Sequence, residues 1–171
     1  DDYAAIRKEM EAVAAHFGKH VLREVELETV ESHVGELRWA CGDRAVLRAL
    51  HYYDENARVL EQAAAIRGGD LPAFFDAVKR SGDSSWKLLQ NVYARSTEEQ
   101  MAMGIELSRR FLHGDGAQRV HGGGFAGTIQ AYVPLDRLDD YKKLMEDAFG
   151  PGSCTALMVR PEGAVMMPME G

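Results

Sequence analysis

Apolar residues recur at spacings of three and four through the first two-thirds of the chain and give way to a mixed pattern in the last third, so helices are predicted first and a mixed segment last. Tyr3 to Phe17, rich in Ala, Glu, Lys and Met, predicts a helix that Gly18 ends. Residues 19–42 hold short amphipathic pieces broken by Gly35 and Gly42. Asp43 is the predicted cap of a long helix, on which Val46, Leu50, Tyr53, Ala57, Leu60 and Ala64 form one apolar stripe before Gly68-Gly69. Asp70 starts the next helix, with Pro72 in its first turn, where a missing N–H costs nothing. Its pattern weakens at Ser81-Gly82-Asp83-Ser84-Ser85 and resumes at Trp86, Leu88 and Leu89. Ser96-Thr97-Glu98-Glu99 reads as a capping box ahead of Met101, Ile105, Ser108 and Leu112.

Beyond Gly114 and Gly116 the period changes. A strand leads into a glycine run, Thr128 to Val133 alternates as a second strand, and Pro134 stops it. Leu138, Tyr141, Met145 and Ala148 mark a helix closed by Gly150-Pro151-Gly152. Thr155 to Arg160 reads as a last buried strand, with Gly163 to Met167 turning back beside it. Helix, strand, loop, strand, helix, strand is most of a ferredoxin-like α+β unit, an antiparallel sheet covered by helices. A remaining strand is sought in residues 23–30.

The chain's 171 residues fit one domain, 1–171, and suffice for a real core. A hydrophobic content of 46% with 27% charged residues is ordinary for a globular domain. A formal net charge of −7, without a basic patch interleaved with aromatics, argues against nucleic acid as a partner. The two cysteines, Cys41 and Cys154, lack metal or redox spacing and read as reduced thiols. No stretch reaches the roughly twenty apolar residues of a membrane span, so a soluble cytoplasmic protein without a membrane partner is expected.

The most informative stretch is Arg119-Val120-His121-Gly122-Gly123-Gly124-Phe125-Ala126-Gly127-Thr128, with four glycines in six residues. Gly122, Gly124 and Gly127 match G-x-G-x-x-G, but the dinucleotide motif needs a helix next and a strand follows here. The phosphate loop G-x-x-x-x-G-K-[ST] fails too, since Thr128 stands where its lysine belongs. What remains is a hairpin of bare backbone, either a simple tight connection or an anion-facing surface. His121 at its edge can titrate near neutrality, although a structural hydrogen bond is the preferred reading. His51 and Glu55 share a helix face without a third metal ligand, which favours a packed histidine. Glu55 and Arg58 read as a local helix pair. Met166, Met167 and Met169 read as adaptable filler.

The glycine stretch resembles the third conserved motif of the galactokinase branch of the GHMP small-molecule kinases, Arg-hydrophobic-Thr-Gly-Gly-Gly-Phe-Gly-Gly. Upstream, Arg48-Ala49-Leu50-His51 and Glu55-Asn56-Ala57-Arg58-Val59 are similar to that branch's Arg-Ala-x-His and Glu-Asn-x-Arg-Val elements. Together the likeness covers about residues 10 to 165 in the expected order. The departures are His121 for threonine, Ala126 for glycine, and Gly82 where the family's Ser-His-x-Ser-Leu stretch has histidine. They bear on the sugar more than on the fold.

The resemblance implies the C-terminal domain of an ATP- and Mg-dependent sugar kinase that phosphorylates galactose at the anomeric hydroxyl. Its N-terminal ATP- and sugar-binding lobe, with the catalytic residues, is expected to lie outside this chain, which would then be an excised or proteolysed piece. No catalytic or metal-binding residue is therefore assigned here, and no cofactor is expected in the piece alone. The assigned site is the phosphate-proximal loop His121, Gly122, Gly123, Gly124, Phe125, Ala126 and Gly127, expected chiefly to brace the phosphate loop of the other lobe. The piece alone is expected to be inactive, and to self-associate through the face the lobe would cover. The alternatives are another GHMP kinase, acting on N-acetylgalactosamine, a heptose, mevalonate or homoserine, and a stand-alone α+β binding module.

Overall fold

A computed structural model of the chain describes residues 2–125, 127–159 and 161–163. Helix α1 (Asp2–His16) leads, and Gly18 adopts a left-handed φ of 69° after it. The choppy stretch becomes a 3₁₀ turn at Leu22–Glu24, then α2 (Leu27–Ser32) and α3 (Val34–Cys41). Residues 23–30 thus supply no strand. The long helix is α4 (Asp43–Gly68), closed by Gly69 in the left-handed region. Asp43 is its first residue rather than its cap. The cap position is Gly42, and the Asp43 carboxylate instead accepts from Arg38 Nε at 2.7 Å.

Helix α5 (Leu71–Ser84) is capped as its sequence predicts, Asp70 Oδ1 accepting the Ala73 N–H at 2.9 Å. It runs through the weakened Ser81–Ser84 stretch into a single π turn, Ser85–Leu89. Helix α6 (Gln100–Leu112) has no capping box. Ser96 and Thr97 lie in a turn closed by the Glu98 N–H on the Arg95 carbonyl, and Glu99 occupies the cap position without a side-chain bond.

Strands β1 (Ala117–Val120) and β2 (Ile129–Tyr132) pair antiparallel, Ala117 opposite Tyr132 and Val120 opposite Ile129. A further rung, the His121 N–H on the Thr128 carbonyl at 3.0 Å, closes the loop between them. Helix α7 (Leu138–Phe149) follows a 3₁₀ turn and ends at Gly150. The class is α+β, with a sheet of two strands among the described residues. The predicted strand at Thr155 to Arg160 is a correction. Residues 155–159 join no ladder, and Leu157, Met158 and Val159 are 91, 92 and 89% exposed. Their composition favours strand, but a strand exists only through a partner's hydrogen bonds. Arg160 and the Met166 to Met169 tail lie outside the described residues.

Two cores result. One gathers Val13, Leu22, Val30, Leu37, Val46 and Ala49 among α1 to α4. The other gathers Val92, Met101 and Val120, with Trp86, Ile105 and Ile129 against them. Between them α4, α5 and β1 pack in sequence, and that seam is polar. The predicted apolar stripe on α4 does not stay covered for this reason. Leu60 is 72% exposed, while His51 and Arg58 are buried.

Candidate functional site

The seam is built from the side chains singled out in the sequence. From α4, Glu55 directs one carboxylate oxygen to Arg58 Nε at 2.9 Å and the other to the Ser81 hydroxyl of α5, which donates to it. Arg119 of β1 completes the group: its Nη1 donates to Ser81 Oγ at 2.5 Å and lies 3.4 Å from Glu55 Oε1. One turn earlier on α4, His51 Nδ1 sits 2.9 Å from Ser84 Oγ. Burial alone would raise the pKa of Glu55, but the Ser81 and Arg58 hydrogen bonds, with the charges of Arg58 and Arg119, outweigh it and hold the carboxyl below its ordinary range. Burial pushes the His51 imidazole down. The predicted Glu55–Arg58 helix pair is present, but it extends to a second helix and a strand.

Arg119 also opens the glycine hairpin, so the network fixes where that loop starts. Two further residues fix its course. Asn91, 1% exposed, donates through Nδ2 to the Gly123 carbonyl at 3.1 Å, and its own carbonyl accepts the Phe125 N–H at 2.9 Å. Tyr3 donates its hydroxyl to the Gly124 carbonyl at 2.5 Å and meets the Phe125 ring edge-on at 5.4 Å. Gly124 has φ +79°, and a Cβ there would overlap the Asn91 carbonyl oxygen; one at Gly123 would overlap the Tyr3 ring. Glycine is required at 124 on both counts.

The other flank is open. Gly122 (φ +63°) and Gly127 (φ +81°) would direct a Cβ into empty space, and both are exposed. Of the assigned loop, His121 is exposed with Nδ1 3.2 Å from Gln130 Oε1, Gly124 is buried, Phe125 is half-buried, and Ala126 lies outside the described residues. Beside Phe125, a recess of about 340 Å³ is walled by Trp86, Tyr93, Arg48 and Lys87. Arg48 is held within the helical layer by Glu9 at 2.8 Å and the Leu89 carbonyl at 3.0 Å. Sequence reading missed Tyr3 and Asn91. Neither carries a spacing signal, and Tyr3 acts on a loop 121 residues away.

A helical layer is pinned by a half-buried ionic seam to a glycine hairpin. No family model matches the chain. The fold is shared with a solved galactokinase, that of Lactococcus lactis complexed with galactose, at a TM-score of 0.64 and 20% identity, covering 87% of this chain and 37% of that one. In sequence the chain is 30% identical over 148 residues to the galactokinase of Mannheimia succiniciproducens and 31% identical over 148 residues to that of Haemophilus influenzae. Each alignment takes in 86% of this chain and 37% of the relative. The chain is galactokinase-like, and it spans little more than a third of the length of the curated relatives it matches.

Two measurements test the site. Gly124→Ala is expected to destabilise the chain by ~2–3 kcal/mol, from the left-handed backbone plus displacement of Asn91, lowering Tm by about 5–10 °C; an unchanged melting curve would show that the clamp is not formed. The second is pH dependence. His51 and Glu55 both have folded pKa values below their ordinary 6.5 and 4.5, so the unfolded chain binds more protons in those windows. Stability is therefore complete above about pH 6.5 and falls on acidification, first through His51 and below about 4.5 through Glu55. Melts of His51→Asn, which keeps a polar atom near Ser84, should lose the part of the slope that sets in below about pH 6.5 and keep the part below about 4.5.

Proposed function

We propose that this chain is the C-terminal domain of a galactokinase-like sugar kinase, a single domain of a cytoplasmic enzyme that transfers the γ-phosphoryl group of ATP to the anomeric hydroxyl of galactose. The observation that carries this reading is convergence. The helix motif around His51 to Arg58, the Ser81–Ser84 segment and the glycine hairpin, separate in sequence, meet in one seam that ends at the loop. Galactokinase relatedness along 86% of the chain supports it.

The loop suits a supporting role. Its anchored flank faces Asn91 and Tyr3, and its open flank presents the backbone of Gly122 and Gly127 with no cationic side chain of its own among the described residues except His121 when protonated. A backbone of that shape abuts an anion-binding loop from another lobe and completes its concavity. When bound, Mg-ATP supplies the transferable phosphoryl group and the charge that must be neutralised. This chain's residues supply position. Asn91 and Tyr3 hold the hairpin still, and the Glu55–Ser81–Arg119 seam transmits the rigidity of the helical layer to it. The missing lobe would bring the base, the metal ligands and the nucleotide loop.

The test is a coupled ADP-release assay. The chain alone should show no turnover with ATP and galactose, whereas the polypeptide read from the full reading frame should turn over galactose in preference to N-acetylgalactosamine, a heptose, mevalonate or homoserine. Turnover by the chain alone, or preference for another acceptor, overturns the reading. Light scattering provides a second check. With its partner lobe absent, the open flank and the exposed Leu157-Met158-Val159 run should drive concentration-dependent self-association, so a monomer at high concentration contradicts a covered face.

A further inference from the structure

A second recess lies away from the glycine hairpin. It has a volume of about 540 Å³ and is lined by Lys79 of α5, Arg109, Arg110, His113 and Gly114 at the end of α6, and Gln118 of β1. Four of six lining residues are basic, in a chain whose net charge is −7. Like charges gathered against the average of the molecule repel one another unless something anionic offsets them.

Local acids offset only part. Arg109 bonds Glu106 through Nε and Nη2, each at 2.7 Å, and Arg110 through Nε at 2.6 Å, and these bonds bring its carboxyl down to about 2. One carboxylate shared by two guanidinium groups leaves one positive charge. Lys79 adds a second and has no acidic partner among the described residues. The carbonyl end of α6 accounts for basic residues in its own last turn. It does not account for a lysine from another helix, nor for a hollow among them.

We propose that this recess is a binding site for a phosphate monoester, separate from the glycine hairpin and independent of the kinase reading. Two uncompensated positive charges match a dianionic phosphate group, the paired guanidinium faces suit its oxygens, and Gln118 and the Gly114 backbone add neutral donors. The volume falls in the range that holds small ligands and leaves room for the organic half of the ester.

The experiment is a titration of the chain by amide NMR at constant ionic strength, with inorganic phosphate, glucose 6-phosphate and sodium chloride in parallel. Expected are saturable shifts at Gly114 and Gln118 with glucose 6-phosphate, weaker ones with inorganic phosphate and none with chloride. The double variant Lys79→Gln, Arg110→Gln should bind at least about tenfold more weakly with an unchanged melting curve. Gln118→Ala, which leaves every charge in place, gives a second variant and should reduce affinity without abolishing it. Linear shifts that never saturate, shifts that map elsewhere, or undiminished binding in a folded double variant mean an adventitious ion only, and the site falls. Because no turnover is measured, this outcome is distinct from the fate of the kinase reading.

Discussion

The arrangement depends on one half-buried carboxylate. Glu55 is addressed from α4, α5 and β1 together, through Arg58, Ser81 and Arg119. Carrying a charge into a half-closed seam is costly, and such pairs commonly do no more than break even against apolar packing. What they add is direction. An apolar seam would let β1 slide or rotate against α5, whereas a carboxylate held by donors from α4, α5 and β1 accepts one register. The depressed pKa of Glu55 shows that its partners outweigh its burial, so the seam stays ionised and the register is held at neutral pH.

That register matters because the hairpin has little stability of its own. Two four-residue strands are marginal in water without a surface to lie on. The surface here is the helical layer. Arg119 sets the start of the loop, Asn91 sets its middle, and Tyr3 from the first turn of the chain sets its far side. Each anchor is made to backbone or to a group beside it, so the loop can keep two open glycines at Gly122 and Gly127 without collapsing onto itself. A loop of glycines is normally the most mobile part of a fold; this one is anchored on one side and bare on the other.

Much of this is legible in the sequence. The glycine hairpin, the bounds of α1 and α7, the capped start of α5 and the strand ended by Pro134 follow from local rules of turn and period, which need no knowledge of the partner. The errors share a cause. Asp43 and Ser96 were good caps locally, but Arg38 took the Asp43 carboxylate and the Arg95 turn took the Glu98 N–H before either cap could form. Residues 155–159 have strand composition without a ladder to join. Tyr3 and Asn91 could not be read at all, because their function lies in contacts across 121 and 32 residues of sequence. The polar seam was half visible, as an i, i+3 pair on α4, and its extension to Ser81 and Arg119 is tertiary.

Gly82 shows how one departure from the family pattern can be read physically. The related motif has histidine there, which makes the glycine look like erosion. In this chain a Cβ at 82 would stand 3.0 Å from the Arg119 Cβ and 3.2 Å from the Gln118 carbonyl oxygen. Neither neighbour is the far end of a flexible chain, so any larger residue would push β1 away from α5 by several tenths of an ångström. Arg119 reaches Ser81 at 2.5 Å only because that gap is closed. A glycine at 82 lets β1 lie close against α5, and the Arg119 guanidinium, within reach of Ser81 and Glu55, makes the polar link across that approach. The close approach at Gly82 and the anchors at Arg119, Asn91 and Tyr3 together define where the hairpin sits.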